Sequence, residues 1–158
     1  MVRLADYQDA QDRQSIGSLL KIYSGDPMGG GNALTDEVIA ATLDGLSERS
    51  YAHSVLAFLD NQAVGLINCL EGFSTFHGKP LINIHDIVVD ANYRGRGIAQ
   101  QLLAFVEQFA RDRKCCKLTL EVLQNNHSAH KAYSNFGFAN YQLDPSAGHA
   151  LFLQKLLD

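Results

Sequence analysis

The chain has 158 residues, enough for one domain with its own core, since domains of roughly 100–150 residues are the commonest size. Hydrophobic residues make up 46% and charged residues 19%, with a net charge of -4, which is ordinary for a globular domain and argues against a general nucleic-acid binder. The opening residues carry Asp6, Asp9 and Asp12 among short apolar stretches, and no run approaches the roughly 18 apolar residues of a membrane span, so a cytoplasmic protein with no membrane partner is expected.

In chain order, Arg3 to Tyr7 reads as a first strand, followed by a helix with Ile16, Leu19, Leu20 and Tyr23 on one face that stops near Gly25-Asp26-Pro27. Met28 to Asn32 is a glycine-rich loop, and Thr35 is an N-cap for a second helix burying Ile39, Leu43 and Leu46. The period then changes. Val55–Leu59 and Ala63–Leu70 are apolar, partly β-branched runs broken by Asp60-Asn61-Gln62, the pattern of a hairpin. Glu71 to Pro80 is a polar connection whose Phe73 and Phe76 are either anchored to the core or offered to a ligand, and Leu81–Val89 is a third strand.

Ile98, Leu102, Phe105, Val106 and Phe109 repeat at helical spacing and mark the strongest helix. Lys117–Val122 (strand), Ser128–Phe136 (helix), Phe138–Gln142 (strand) and Ala150–Leu156 (strand) complete the chain. Early strands followed by inserted helices predict an α+β domain over 1–158 with a mixed sheet. Cys115 and Cys116 form neither a zinc spacing nor a CxxC pair, and His127 and His130 have no third ligand near them, so no metal is expected.

The segment Ile84 to Ala99 carries the chemistry. Here a strand passes through Arg94-Gly95-Arg96-Gly97 into the strong helix. Glycines allow positive φ, successive backbone N–H groups can then converge on an anion, and the helix N-terminus and two arginines add positive charge, so a diphosphate is the natural occupant. No Gly-Lys-Ser/Thr follows, and Gln100 stands where a Rossmann turn needs its third glycine, which sets aside nucleotide hydrolysis and nicotinamide chemistry.

With these residues the sequence resembles the GCN5-related N-acetyltransferase (GNAT) family, whose signature Gln/Arg-x-x-Gly-x-Gly/Ala is met by Arg94, Gly97 and Ala99. A second segment is similar too: Leu120-Glu121-Val122, then Asn126, Ala129, Tyr133 and Gly137-Phe138. The likeness spans about Val55 to Leu156, and Ala91 stands where the family often has proline.

The resemblance implies a mostly antiparallel sheet flanked by about four helices, with two splayed parallel central strands. It also implies acetyl-CoA as cosubstrate, with backbone groups of Ile87, Val88 and Val89 on the pantetheine arm, Arg94, Gly95, Arg96, Gly97, Ile98 and Ala99 around the pyrophosphate, and Asn126 on the pantetheine side. Tyr133 is implied as proton donor to the leaving thiolate, although it also belongs to an apolar stripe with Ala129, Ala132 and Phe136.

Direct transfer to an amine needs a proton acceptor as well. The strand before the turn offers Asn83, His85 and Asp86; strict alternation sets Asn83 and His85 on one face and Asp86 on the other unless the strand bends. His85 is a candidate acceptor because an imidazole can serve as a general base, while Asp86 or Glu121 can attract a cationic amine, and a structural hydrogen-bond network is the competing role for each. A nucleophilic Cys115 or Cys116 is disfavoured because neither has a paired histidine.

The acceptor pocket is expected between Gly29–Asn32, Phe73–Phe76 and Asn83–Asp86. A small primary amine is the favoured acceptor; a protein or peptide amine and a non-catalytic acyl-CoA-binding module are the alternatives. Dimers are frequent in the resembling family, so a homodimer is an open assembly.

Overall fold

Asp9 and Thr35 each end an extended segment with a side-chain oxygen that accepts a backbone N–H of the helix ahead, from Asp12 and Val38 respectively. The helices they start are α1 (Ala10–Gly25) and α2 (Asp36–Ser47). The computed structural model describes residues 1–141, 144, 146, 148 and 150–157. Five strands, β1 (Val2–Leu4), β2 (Ala52–Leu59), β3 (Gln62–Ser74), β4 (Lys79–Val89) and β5 (Leu118–Leu120), form one sheet in that order. Helices α3 (Ile98–Asp112) and α4 (His127–Phe136) complete the described regular structure with two short 3-10 turns, Pro27–Gly29 and Ala91–Tyr93.

The two faces of the sheet bury different sets of side chains. On one, Ile16, Leu19 and Leu20 of α1 and Ile39 and Leu43 of α2 pack on Leu56, Leu66 and Val88. On the other, Leu102, Leu103 and Val106 of α3 pack on Val55, Ile67, Ile82 and Ile84. Fully burying one such side chain contributes about 1.5–3 kcal/mol, so both layers hold the sheet. The edge strand is tied to α1 as well: the Arg3 guanidinium grips the buried Asp12 carboxylate at 2.6 and 2.7 Å, and the Asp6 N–H adds a third bond at 2.8 Å.

The β2–β3 hairpin turns on Asp60 and Asn61 with φ of 50° and 63°, the left-handed pair of a type I′ turn. β3 and β4 run further than the sequence pattern suggests, reducing the Glu71–Pro80 connection to a turn at 75–78 and leaving Phe73 and Phe76 exposed rather than in the core. β1 to β4 are antiparallel, whereas β4 and β5 are parallel, the mixed sheet expected.

Strict alternation along β4 does not hold. Asn68 lies opposite Asp86 and Cys69 opposite Ile84, so His85 is an extra residue with no partner across the ladder. Opposed residues share a face: Leu66 with Val88, Asn68 with Asp86, and Leu70 with Asn83 on the α1 side; Ile67 with Ile87 and Cys69 with Ile84 on the α3 side. Asn83 and Asp86 therefore share one face, and His85 is the exposed bulge residue; counting across the bulge misassigned them. The parallel pairing ends at Ile84–Leu120, beside the bulge.

The strand expected at Phe138–Gln142 is not formed by its described part, 138–141. Gly137, at φ 103°, ends α4 instead, and Phe138 donates its N–H to the Tyr133 carbonyl at 3.0 Å as part of that cap, with Gln142 outside the described residues. Residues 150–156 likewise carry no strand: Leu151, Phe152 and Leu153 are exposed, and no described segment pairs with them. Among the described residues no helix is long and apolar enough to cross a membrane.

Candidate active site

Where β4 outruns β5, the chain opens a cavity of about 640 Å³ between the end of β4, the turn into α3, α4 and the C-terminal end of α1. Asp90 donates its N–H to Val64 on β3, so alternation turns the backbone groups of Ile87 and Val89 away from β3, toward the gap. Ile87, Val88 and Val89 all line the cavity.

The turn forms a second wall. Asp90 accepts the Asn92 N–H at 2.9 Å and starts the 3-10 turn at Ala91–Tyr93; the chain then crosses Gly95 and Gly97, with φ of 77° and 74°. Gly97 is the N-cap of α3 and has no side chain to cap it, so the first N–H groups of the helix, from Ile98 onward, have neither an intrahelical nor a side-chain acceptor. Gly95, Gly97, Ile98, Ala99 and Gln100 line the cavity, which puts those donors and the positive end of the helix dipole on its surface. A Cβ on either glycine would meet nothing within 4 Å, so the backbone angle rather than crowding requires glycine here.

The two arginines separate. Arg94 lines the cavity, with Nε donating to the Val89 carbonyl at 3.1 Å and its guanidinium 3.0 Å from Asp26; Arg96 stacks over the Tyr93 ring at 5.3 Å, outside the lining.

The third wall is α4. Asn126 caps it, accepting the Ala129 N–H at 3.1 Å, and also faces the cavity with Ala129, Ala132 and Tyr133. Tyr133 is 9% exposed, packs edge-on to Phe138, and its hydroxyl makes no hydrogen bond among the described residues. Burial first, and nearby Tyr23 second, push its phenol up to about 12, so it is protonated throughout the neutral range.

The far end is closed by residues the sequence pattern did not single out for a site: Tyr23, Asp26 and Met28, from the end of α1 and the turn behind it. Tyr23 reads as one more position of an apolar face, and its lining role depends on where α1 sits. Burial, then Asp86, then Asp26 raise its phenol above the usual range, so Asp86 lies close enough for its charge to be felt. Asp86 accepts from Asn68 Nδ2 at 3.0 Å, and Asn83 Nδ2 donates to Thr119 Oγ1 on β5 at 3.1 Å. His85 and Glu121 are exposed and, like Asn83 and Asp86, lie outside the lining proper. None of the expected pocket segments, Gly29–Asn32, Phe73–Phe76 and Asn83–Asp86, contributes a lining residue. Cys115 and Cys116 line a separate groove with Phe136 and Phe138, and burial raises the Cys115 thiol, so neither cysteine faces this cavity.

Known proteins share this family and fold. The profile of the acetyltransferase (GNAT) family matches residues 12–138. A streptothricin acetyltransferase of Escherichia coli is 37% identical over 82 residues, which cover 52% of this chain and 44% of that protein. A thialysine N-epsilon-acetyltransferase of Sus scrofa is 30% identical over 112 residues, covering 66% of this chain and 64% of its own length. Among solved structures, a probable acetyltransferase superposes with a TM-score of 0.82 at 20% identity over 99% of both chains. The chain thus spans about half the length of the curated relatives it matches, less for the first and more for the second.

Proposed function

The chain belongs to the GNAT acetyltransferase family, and from that premise we propose that it moves an acetyl group from acetyl-CoA to the primary amine of a small cationic acceptor. One observation carries this reading: a single cavity is lined by the glycine turn into α3, by a protonated tyrosine whose hydroxyl has no partner among the described residues, and by Asp26, with Asp86 next to the lining Ile87.

Acetyl-CoA, when bound, supplies the activated acyl carbonyl. The residues suit it: the turn from Arg94 to Ala99 offers backbone donors and a guanidinium to a diphosphate, and Ile87 and Val89 offer backbone groups to an amide-bearing arm, with Asn126 facing them. Tyr133 holds a hydroxyl proton toward the leaving sulfur. A free thiol has a pKa near about 8.5, so complete transfer from a phenol at about 12 is uphill, and Tyr133 acts by donating a hydrogen bond to the developing thiolate. An alkyl amine is mostly ammonium at neutral pH, its pKa being about 10.4. Asp86 draws that cation to the α1 side of the gap, and the ammonium proton passes to solvent water before the neutral amine attacks. His85, exposed on the bulge, has no step in this scheme.

Relatives that act on streptothricin and thialysine support a cationic small acceptor. The test is thiol release from acetyl-CoA with purified protein and a panel of streptothricin, thialysine, polyamines, aminoglycosides and lysine peptides. Release with one or more small cationic amines is expected. Release with peptides alone would move the acceptor class to proteins, and CoA binding without any release would make the chain a binding module.

A further inference from the structure

One buried polar group of side chains has no place in the scheme above. Ser54 and Asn68 are 1% and 3% exposed, on the α1 face of β2 and β3 beside Leu56, Leu66 and Val88. A hydroxyl and an amide in such a layer are unfavourable unless hydrogen-bonded, and each of these is. Tyr7 Oη lies 2.9 Å from Ser54 Oγ, Ser54 Oγ lies 2.5 Å from Asn68 Oδ1, and Asn68 Nδ2 lies 3.0 Å from Asp86 Oδ2.

Chemistry fixes the direction of this chain. A carboxylate only accepts, so Asn68 turns its NH₂ to Asp86 and its oxygen to Ser54. Ser54 has one proton, which goes to Asn68, and Ser54 therefore accepts from Tyr7. Every donor points toward Asp86, and the charge at the end strengthens each bond behind it. An amide in the middle keeps its donor and acceptor ends distinct, so the chain orients a group rather than relaying a proton.

We propose that Tyr7, Ser54 and Asn68 are positioning residues of the acceptor site, an oriented chain that holds the Asp86 carboxylate in one direction on the α1 side of the sheet to receive a cationic amine. This rests on the acetyl-transfer reading. Simple satisfaction of buried groups is a weaker account, because apolar side chains of similar size are often as stable as a buried polar set. The chain is also continuous from the β1–α1 loop through β2 and β3 to Asp86, the residue before Ile87 of the cavity wall, which packing alone does not require.

The test uses wild type, Ser54→Ala, Asp86→Asn and the double variant, with acetyl-CoA and streptothricin or whichever panel amine is turned over. Steady-state kinetics, melting curves and the carboxyl-carbon NMR resonance of Asp86 are recorded together. Ser54→Ala should shift the Asp86 resonance and raise KM for the amine about tenfold, with KM for acetyl-CoA unchanged. In the Asp86→Asn background the same change should add nothing to KM. Tyr7→Phe, one link further out and gentle on the fold, should act in the same direction by about two- to threefold. An equal KM increase in both backgrounds, or an unmoved Asp86 resonance in a folded Ser54→Ala protein, would overturn the proposal. If no amine is turned over by wild type, the acetyl-transfer reading fails, and the resonance alone still decides whether the chain orients Asp86.

Discussion

The two ends of the cavity are built in different ways. The end proposed to bind the diphosphate is one continuous stretch, Asp90 to Gln100, whose donors are mainly backbone N–H groups at a helix start. The opposite end is lined by Tyr23 and Asp26 from α1 and its turn; outside the lining stand Asp86 of β4 and, behind it, Asn68, Ser54 and Tyr7. A site made of backbone needs special backbone residues in a row. One made of side chains needs only the right side chains brought together by the fold, so the first end should fail through conformation and the second through charge and orientation.

Tyr133 stands between the ends and should show the largest effect. Tyr133→Phe keeps the ring against Phe138 and removes a hydroxyl with no bond among the described residues, so the melting temperature should hardly move. Losing a donor aimed at developing charge should lower kcat by about 10²–10³, with acetyl-CoA affinity preserved. Near-normal kcat in steady-state assays would remove Tyr133 from the chemistry.

Next comes Gly97→Val, which breaks the anion end alone. A β-branched residue at φ 74° is strained, and any relief moves the first N–H groups of α3. CoA affinity by calorimetry should fall about 10²-fold while far-ultraviolet circular dichroism stays near wild type. Undiminished affinity would dissociate the turn from the diphosphate.

Asp26→Asn probes a contact that joins the ends. Its carboxylate holds the Arg94 guanidinium at 3.0 Å, and Arg94 itself holds Asp26 below the usual carboxylate range, second to the Met28 N–H. Arg94 is 53% exposed, so the pair is well screened; its release should tighten CoA by no more than about fivefold while raising KM for a cationic amine. Parallel changes in both constants would mean that the two ends are not separate.

The smallest kinetic effect is expected far from both. The Arg3 guanidinium first, and the Asp6 N–H as well, hold the buried Asp12 carboxyl below its ordinary 3.8. A depressed acid stabilises the fold above its unfolded value, so this contribution is complete above about pH 5 and is lost as pH falls through and below about 3.8. Asp12→Asn should lower stability at neutral pH by about 1–3 kcal/mol and flatten the acid limb of the melting profile, with kcat and both KM values unchanged. A steep acid limb persisting in the variant would assign it to other carboxyls.

The same contrast explains what the sequence could disclose. The α3 helix, its glycine turn and the Asn126 to Tyr133 helix were legible because each is local: apolar spacing, glycines before a helix, a cap and a following stripe. The face shared by Asn83 and Asp86 was not, because a single bulge residue, His85, shifts the phase of β4, and its place depends on the register with β3. Tyr23 was indistinguishable from Leu19 or Leu20 by spacing, since only the packed position of α1 brings it to the cavity wall. Phe138 illustrates the opposite error: an aromatic after glycine suits a strand start equally well, yet its N–H closes the helix behind it.

The bulge at His85 also leaves the sheet with an edge in its interior. Beyond Ile84–Leu120 the outward amides of Ile87 and Val89 face no strand among the described residues. Without ligand these amides should exchange their hydrogens with solvent quickly, although the rest of β4 is locked against β3; with CoA they should become slow, in step with any rise in melting temperature. Exchange at two amides would then report occupancy directly, with no acceptor present and no turnover at all.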